Sequence, residues 1–264
     1  MRMSGRSIPP TPEDDTVANG DGASASISLR SVYLGRLTTL PPRDRPSGID
    51  KQPVPPGTLL EITREGLAGD VQGDRENHGG PEKAIHHYPY EHYAWWRERF
   101  PARADRFAKA PAFGENLSTE GWTEGDLCIG DRIAWGTARL EVSQGRQPCW
   151  RIGAWNEEPL LPREVQRSGR SGWYYRVSVP GVARPEDPLQ RIHRPHPDWP
   201  LTRIQHLLYE NPLDLDGLAG MAALPALAQG WRELAARRLA HRRVEDWEAR
   251  LSGVPPEPRP RSSS

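Results

Sequence analysis

The sequence predicts a mainly β protein, a β-barrel with peripheral helices, followed by a small helical domain. Three observations predict it. At least six short segments before residue 199 alternate apolar and polar residues with period 2, as half-buried strands do. The 25 glycines and 28 prolines punctuate those segments, as turns between short strands require. Beyond Trp199 the apolar spacing changes to that of amphipathic helices.

Composition narrows the class. The 264-residue chain is 36% hydrophobic and 27% charged, which suits a water-soluble protein with a modest core. Its formal net charge is zero, so no overall field recruits nucleic acid or an acidic membrane. No apolar run is long enough for a signal-peptide core or a membrane span, and the expected location is the cytoplasm. Cys128 and Cys149 are the only cysteines. Two thiols exclude a four-cysteine zinc or iron–sulfur site within one chain and argue against a disulfide framework.

The elements follow in order. Residues 1–26 have almost nothing to bury and read as a disordered tail. Strands are expected at Ile27–Leu37 and Thr58–Thr63, with a Pro/Arg/Asp-rich surface loop over Pro41–Pro56 between them. Gly66-Leu67-Ala68-Gly69-Asp70 and His78-Gly79-Gly80-Pro81-Glu82-Lys83 flank a polar loop. Their glycines let backbone approach a ligand, and Arg75, His78 and Lys83 surround them with donors, so the pair reads either as an anion nest or as two ordinary turns. A strand at Lys83–Tyr88 and a helix at Tyr90–Phe100 follow, with Tyr93, Trp96 and Phe100 on a core face. His87 and His92 are five apart across Pro89, which is not the spacing of a zincin helix. Cys128, between Leu127 and Ile129, reads as a buried structural thiol.

Strands at Ile133–Trp135 and Ala138–Val142 lead into Ser143-Gln144-Gly145-Arg146-Gln147-Pro148-Cys149. Pro148 stiffens the approach to Cys149. A thiol on a loop near a guanidinium has more of the thiolate that attacks electrophiles and binds soft metals; the alternative is a small buried hydrophobe. A short helix at Pro162–Arg167 and strands at Trp173–Val179 and Leu189–Ile192 complete a domain over 27–198. Helices at Leu201–Glu210, Leu213–Leu224, Leu227–Ala240 and Val244–Leu251 make a second domain over 199–252, with Asp214 or Asp216 as a cap and residues 253–264 as a second tail. Arg237, Arg238, Arg242 and Arg243 read as a solvated helix face.

Five motifs stand in one order: GLAGD at 66–70, HGGPEKAIHHYPYEHY at 78–93, FGENLSTEG at 113–121, GD at 130–131 and VSQGRQPCWRIG at 142–153. In this the chain resembles MOSC-domain proteins of the YiiM type, which are associated with resistance to 6-N-hydroxylaminopurine. Gly145 departs from the family pattern, which has a proline there. The resemblance covers about residues 27–252 and implies a MOSC β-barrel with a small three-helix domain. It implies a molybdenum cofactor, a molybdenum–pterin dithiolene, with Cys149 as the thiolate ligand to the metal. Gly69, Asp70, Arg75, His78, Gly79, Gly80, Lys83 and Ser143 would form the cofactor pocket, with Lys83 or Arg75 facing the phosphate. Glu115 and Asn116 would meet the pterin edges, and Gln144 and Arg146 would act beside Cys149 as catalytic residues. The implied activity is oxygen-atom abstraction from N-hydroxylated substrates such as N-hydroxylated purine bases. Electrons would come from a separate flavin- or ferredoxin-type reductase, for which the helical domain is a candidate docking surface. The alternatives are a non-catalytic carrier of the cofactor and a metal-free thiol protein. Oligomeric state is left open, a dimer included.

Overall fold

A computed structural model describes residues 25–41, 44–73 and 79–254. Arg75, His78 and most of both expected tails lie outside the described residues. Twelve strands are described: β1 (Ser26–Ile27), β2 (Leu29–Leu40), β3 (Arg45–Pro53), β4 (Leu60–Thr63), β5 (Gly66–Leu67), β6 (Ile85–Pro89), β7 (Leu117–Thr119), β8 (Arg132–Trp135), β9 (Ala138–Gly145), β10 (Trp173–Val179), β11 (Gly181–Ala183) and β12 (Leu189–His193).

Nine of them form one sheet in the order β1-β12-β8-β9-β10-β6-β7-β2-β3, and β11-β4-β5 form a small second sheet. The expected closed barrel is not formed. Among the described residues the large sheet is open, ending on β1 at one side and β3 at the other, and the fold is mixed α/β rather than mainly β. Short strands and turns specify neighbours but not closure. Irregular chain covers one face of the β2–β3 hairpin: a Cβ on Gly48 would lie 1.8 Å from the Val71 carbonyl oxygen, one on Gly35 2.9 Å from the same oxygen, and one on Gly73 2.5 Å from Ser47 backbone.

β3 itself corrects a second expectation, since Arg45–Pro53, within the loop expected over Pro41–Pro56, is a strand paired along β2. The pairing of β6 with β7 is parallel and the other pairings are antiparallel.

Period-2 alternation sorts the strands' faces. In β10, Trp173, Tyr175 and Val177 are buried in the main core with Leu140 and Val142 of β9 and Ile85 of β6. Tyr174 and His86 take the intervening positions and stack on each other, centroids 4.9 Å apart. A bulge between β9 and β10 skips Ser143, because Tyr174 pairs with Gln144 and Tyr175 with Val142.

Helix α1 (His92–Arg99) buries Tyr93 and Trp96 in a second, aromatic cluster with Tyr88, Phe100, Phe107 and Phe113. Tyr88 and Phe113 stack there at 4.1 Å. Helices α2 (Trp150–Trp155) and α3 (Leu161–Ser168) pack beside that cluster through Ile152, Leu161 and Val165. After Trp199 come α4 (Leu201–Gln205) with a π turn at His206–Glu210, α5 (Leu215–Ala223), α6 (Gln229–His241) and α7 (Glu248–Ser252). Asp214 caps α5, accepting from the Gly217 N–H at 3.1 Å. Leu201, Ile204, Leu218, Met221 and Leu234 join the core of the sheet, so sheet and helices share one apolar interior. Arg238, read from the sequence as a solvated side chain, is fully buried instead. Its guanidinium donates to the carbonyls of Leu207 and Leu208, both at 3.1 Å, and pairs with Glu245 at 2.7 Å.

Candidate functional site

A cleft of about 630 Å³, counted to its mouth, opens where β3, the 70–73 segment, β6, the 113–116 turn and the 146–151 loop converge. Asp70, Lys83, Asn116, Arg146 and Cys149 line it. These five come from four of the motifs singled out in the sequence.

The Cys149 loop is held from several sides. Glu124 Oε1 accepts from the backbone N–H groups of Ser171 at 2.9 Å and Gly172 at 2.7 Å. The Gly172 carbonyl in turn accepts from the Arg146 N–H at 2.9 Å. Further along, Arg250 of α7 donates to the carbonyls of Pro148 (3.1 Å) and Gln147 (3.2 Å). Cys149 is 4% exposed, extended, and begins α2; neither cysteine is in a disulfide. The other thiol, Cys128, is buried against the Pro197 carbonyl at 3.4 Å, a structural position.

Behind the cleft wall sits a knot of buried polar groups. Asp70 Oδ1 accepts from Lys51 Nζ and from the Gly35 N–H, both at 2.5 Å, while Oδ2 accepts from Asn116 Nδ2 at 3.0 Å. Asn116 Oδ1 accepts from the His86 N–H at 3.1 Å. Burial lowers the Lys51 ammonium pKa, and the Asp70 carboxylate opposes that shift. Glu115 does not line the cleft. Its carboxylate faces the aromatic cluster, where Tyr93 O–H donates to Oε1 and the Phe113 N–H to Oε2 at 3.0 Å. Burial pushes this carboxyl up to about 7, although the Tyr93 and backbone hydrogen bonds pull the other way.

The remaining sequence-derived residues are placed as follows. Ser143 Oγ lies 2.6 Å from the Glu82 carbonyl and 3.0 Å from that of Tyr174, tying β9 to the turn that carries Lys83. Gln144 lines a smaller chamber beside the cleft. Gly69 and Gly80 have positive φ, and Gly80 precedes the single 3-10 turn Pro81–Lys83. Neither they nor Gly79 is among the cleft-lining residues. His87 is held by Tyr175 and Thr119, and His92 by Glu124.

Several cleft residues are not assigned to the site by the sequence reading: Ser47, Gly48, Ile49 and Lys51 of β3, then Gln72, His86, Arg151 and Tyr174. Lys51 had one available signal, as one of only three lysines in a chain with 35 basic residues.

Three atoms in the walls bear on what the cleft can hold. Gln72 Oε1, His86 Nε2 and Arg146 Nη1 are buried with no hydrogen-bond partner among the described residues. Buried polar atoms of a folded protein are ordinarily paired. Burial, reinforced by the Arg146 charge, holds His86 well below the usual imidazole range and therefore neutral. Among the described residues, Lys83, Arg146 and Arg151 line the cleft against Asp70 as the single carboxylate, and Asp70 already holds Lys51. The cleft is thus cationic, carries one thiol, and leaves polar nitrogens to be satisfied. That donor set suits an anionic ligand bearing a soft metal. No group of three or more His, Cys, Asp or Glu side chains arranged for a metal occurs among the described residues.

Comparison with known proteins places this architecture. Residues 74–190 match the MOSC domain and residues 199–242 the YiiM-like, 3-alpha helix domain. Protein YiiM of Escherichia coli is 36% identical over 222 residues, covering 84% of this chain and 97% of that protein. The chain belongs to the MOSC-domain family, YiiM type. The crystal structure of YiiM from Escherichia coli superposes with a TM-score of 0.73 at 31% identity, covering 86% of this chain and 98% of that one. YiiM from Geobacillus stearothermophilus gives 0.68 at 34% identity, covering 81% and 99%. A longer protein of Gibberella moniliformis, named Reductase, is 30% identical over 214 residues, which is 70% of this chain and 38% of that protein. At family level this is a MOSC/YiiM-type oxidoreductase, and MOSC domains are generally associated with the molybdenum cofactor. No described helix is long and apolar enough to cross a membrane.

Proposed function

We propose that the cleft holds a molybdenum–pterin cofactor and that the enzyme reduces N-hydroxylated substrates, N-hydroxylated purine bases among them. The observation that carries the reading is the meeting of one soft ligand, Cys149, with the cations Lys83, Arg146 and Arg151 in one cleft whose walls leave Arg146 Nη1 and His86 Nε2 unsatisfied. When bound, the cofactor supplies the two electrons and accepts the oxygen of the N–O bond. The net change converts N–OH to N–H, consuming two electrons and two protons and releasing water.

The chain's own residues bind, orient and exclude water. Cys149 is the protein ligand to the metal. Lys83 and Arg151 hold the cofactor's phosphate by charge-assisted hydrogen bonds. The backbone of Ser47–Ile49 and the Gln72 side chain offer donors and acceptors to the pterin edges from the opposite wall. Asn116, fully engaged with Asp70, Tyr33 and His86, sets the floor instead of reaching the ligand. His86, kept neutral by burial, presents Nε2, and Arg146 presents Nη1, where a bound oxygen completes their pairing. Electrons come from a separate flavin- or ferredoxin-type reductase. The longer relative named Reductase supports a reductive role.

The test is metal and pterin content of protein purified from cells with intact cofactor synthesis. The native chain should carry both and reduce N-hydroxylaminopurine with a chemical electron donor. Cys149→Ala should lose the metal and at least about two powers of ten in rate. Full activity with bound metal in that variant removes Cys149 as the ligand, and a native chain without molybdenum removes the reading.

A further inference from the structure

Beside the cleft lies the smaller, tight chamber, with Cys149 in the wall that the two share. Lys83, Arg146 and Tyr174 face both spaces, whereas Gln144 and Arg250 line the chamber alone. No carboxylate of the described residues lines it. Arg146 is 7% exposed, and its Nη1 is unpaired among the described residues. Arg250 is fixed by its bonds to the Gln147 and Pro148 carbonyls and makes no ion pair among the described residues. Those bonds use Nε and Nη2.

Two guanidinium groups facing one narrow space repel, and partial burial strengthens the repulsion. Such an arrangement persists when an anion completes it. A guanidinium also suits the two oxygens of a carboxylate or phosphate better than it suits a neutral acceptor. The anion is not required to be the cofactor's own phosphate, because Arg151 lines the larger cleft alone and Arg250 the chamber alone. Gln144, 3% exposed, adds an amide on the same wall.

We propose that this chamber is the substrate's anion subsite: the N-hydroxylated compound reduced by the enzyme carries a carboxylate or phosphate, held by Arg146 and Arg250, with its N–O group towards the Cys149 wall. The proposal rests on the functional reading above and narrows its substrate class. Arg250 is supplied by α7, which lies outside the 199–242 segment matched by the helical-domain family.

The test is calorimetric binding of benzamidoxime and 4-carboxybenzamidoxime to the full chain, in the native protein and in Arg250→Gln, Arg250→Lys and Arg163→Gln. Arg163 pairs with Glu248 of α7 at 2.6 Å and lines neither space, so its loss perturbs the docking of α7 without touching the chamber's charge. The native chain should bind the carboxylated compound at least about tenfold more tightly. Arg250→Gln should erase that preference, Arg250→Lys should restore part of it, and Arg163→Gln should keep it.

Equal affinity for the two compounds in the native chain, or no binding of either, overturns the subsite. An equal loss of preference in Arg163→Gln and Arg250→Gln overturns it in favour of simple helix docking. Loss of bound pterin and molybdenum from purified Arg250→Gln overturns it in favour of a cofactor-phosphate site. A preference erased by Arg250→Gln, in a protein that reduces no N–O bond, keeps the anion subsite and rejects the functional reading instead.

Discussion

Lys51 Nζ donates to Asp70 Oδ1 at 2.5 Å inside the cleft wall, and the two side chains are only 6% and 5% exposed. The same carboxylate holds Gly35 on β2 and the Asn116 amide, so one ion binds three segments together. Removing one partner of a buried pair strands the other charge. Lys51→Met should therefore cost about 3–5 kcal/mol of stability, measured by urea unfolding. A cost below about 1 kcal/mol would place the pair in effectively solvated surroundings.

Glu115 gives the fold a defined pH response. Its carboxyl stands at about 7 in the folded chain against an ordinary value of 4.5. The folded state thus holds this proton more tightly than the unfolded state. The resulting stability is fully present below about pH 4.5 and is lost as pH rises through about 7, by ~3 kcal/mol in total. Glu115→Gln should flatten this component. Melting curves from pH 5 to 8 should show the native chain weakening relative to the variant, and parallel curves would contradict the assignment.

Gly48 sits where β3 meets the 71–73 segment, and a Cβ there would lie 1.8 Å from the Val71 carbonyl oxygen. Only backbone movement relieves that contact. Gly48→Ala should cost about 1–3 kcal/mol and open the cleft wall. Purified Gly48→Ala should also carry less pterin than the native chain; an unchanged melting temperature and cofactor content would count against a tight seam.

Arg238 ends the π turn from inside the helical region, donating to two of its carbonyls. Replacement by Met leaves those acceptors without a donor and Glu245 without its cation. Arg238→Met should lose about 3 kcal/mol or more. The helices share their apolar core with the sheet, so the loss should appear as one cooperative transition in fluorescence and far-ultraviolet dichroism alike. Two separated transitions would show that the helical region melts by itself.

Much of the site was readable because its chemistry lies in short motifs. Lys83, Arg146 and Cys149 sit in segments dense in glycine, proline and cations, and they meet in the cleft. β3 was missed for a physical reason. Its inward positions are Ser47, Ile49 and Lys51, so the alternation is real but its buried face is largely polar, facing a cleft and an ion pair. His86 and Tyr174 were not assigned to the cleft for a related reason: each neighbours a core residue on a strand, and only sheet register separates the face turned to the core from the face turned to the cleft. Sheet closure lay beyond a local pattern altogether. It depends on whether the two end strands, β1 and β3, meet, and neither strand's own pattern records that. Arg238 could not be separated from Arg237 by composition, since only helix docking decides which of two adjacent cations is enclosed.

The grip of Arg250 on Gln147 and Pro148 spans 103 and 102 positions of sequence. A contact of that separation closes only after the intervening strands and helices have been synthesised and packed. The thiol loop is therefore among the later parts of the molecule to acquire its final shape. During synthesis, a chain still short of α7 holds a sulfur whose loop is not yet braced. Any group that needs the braced loop is therefore bound only after α7 has docked.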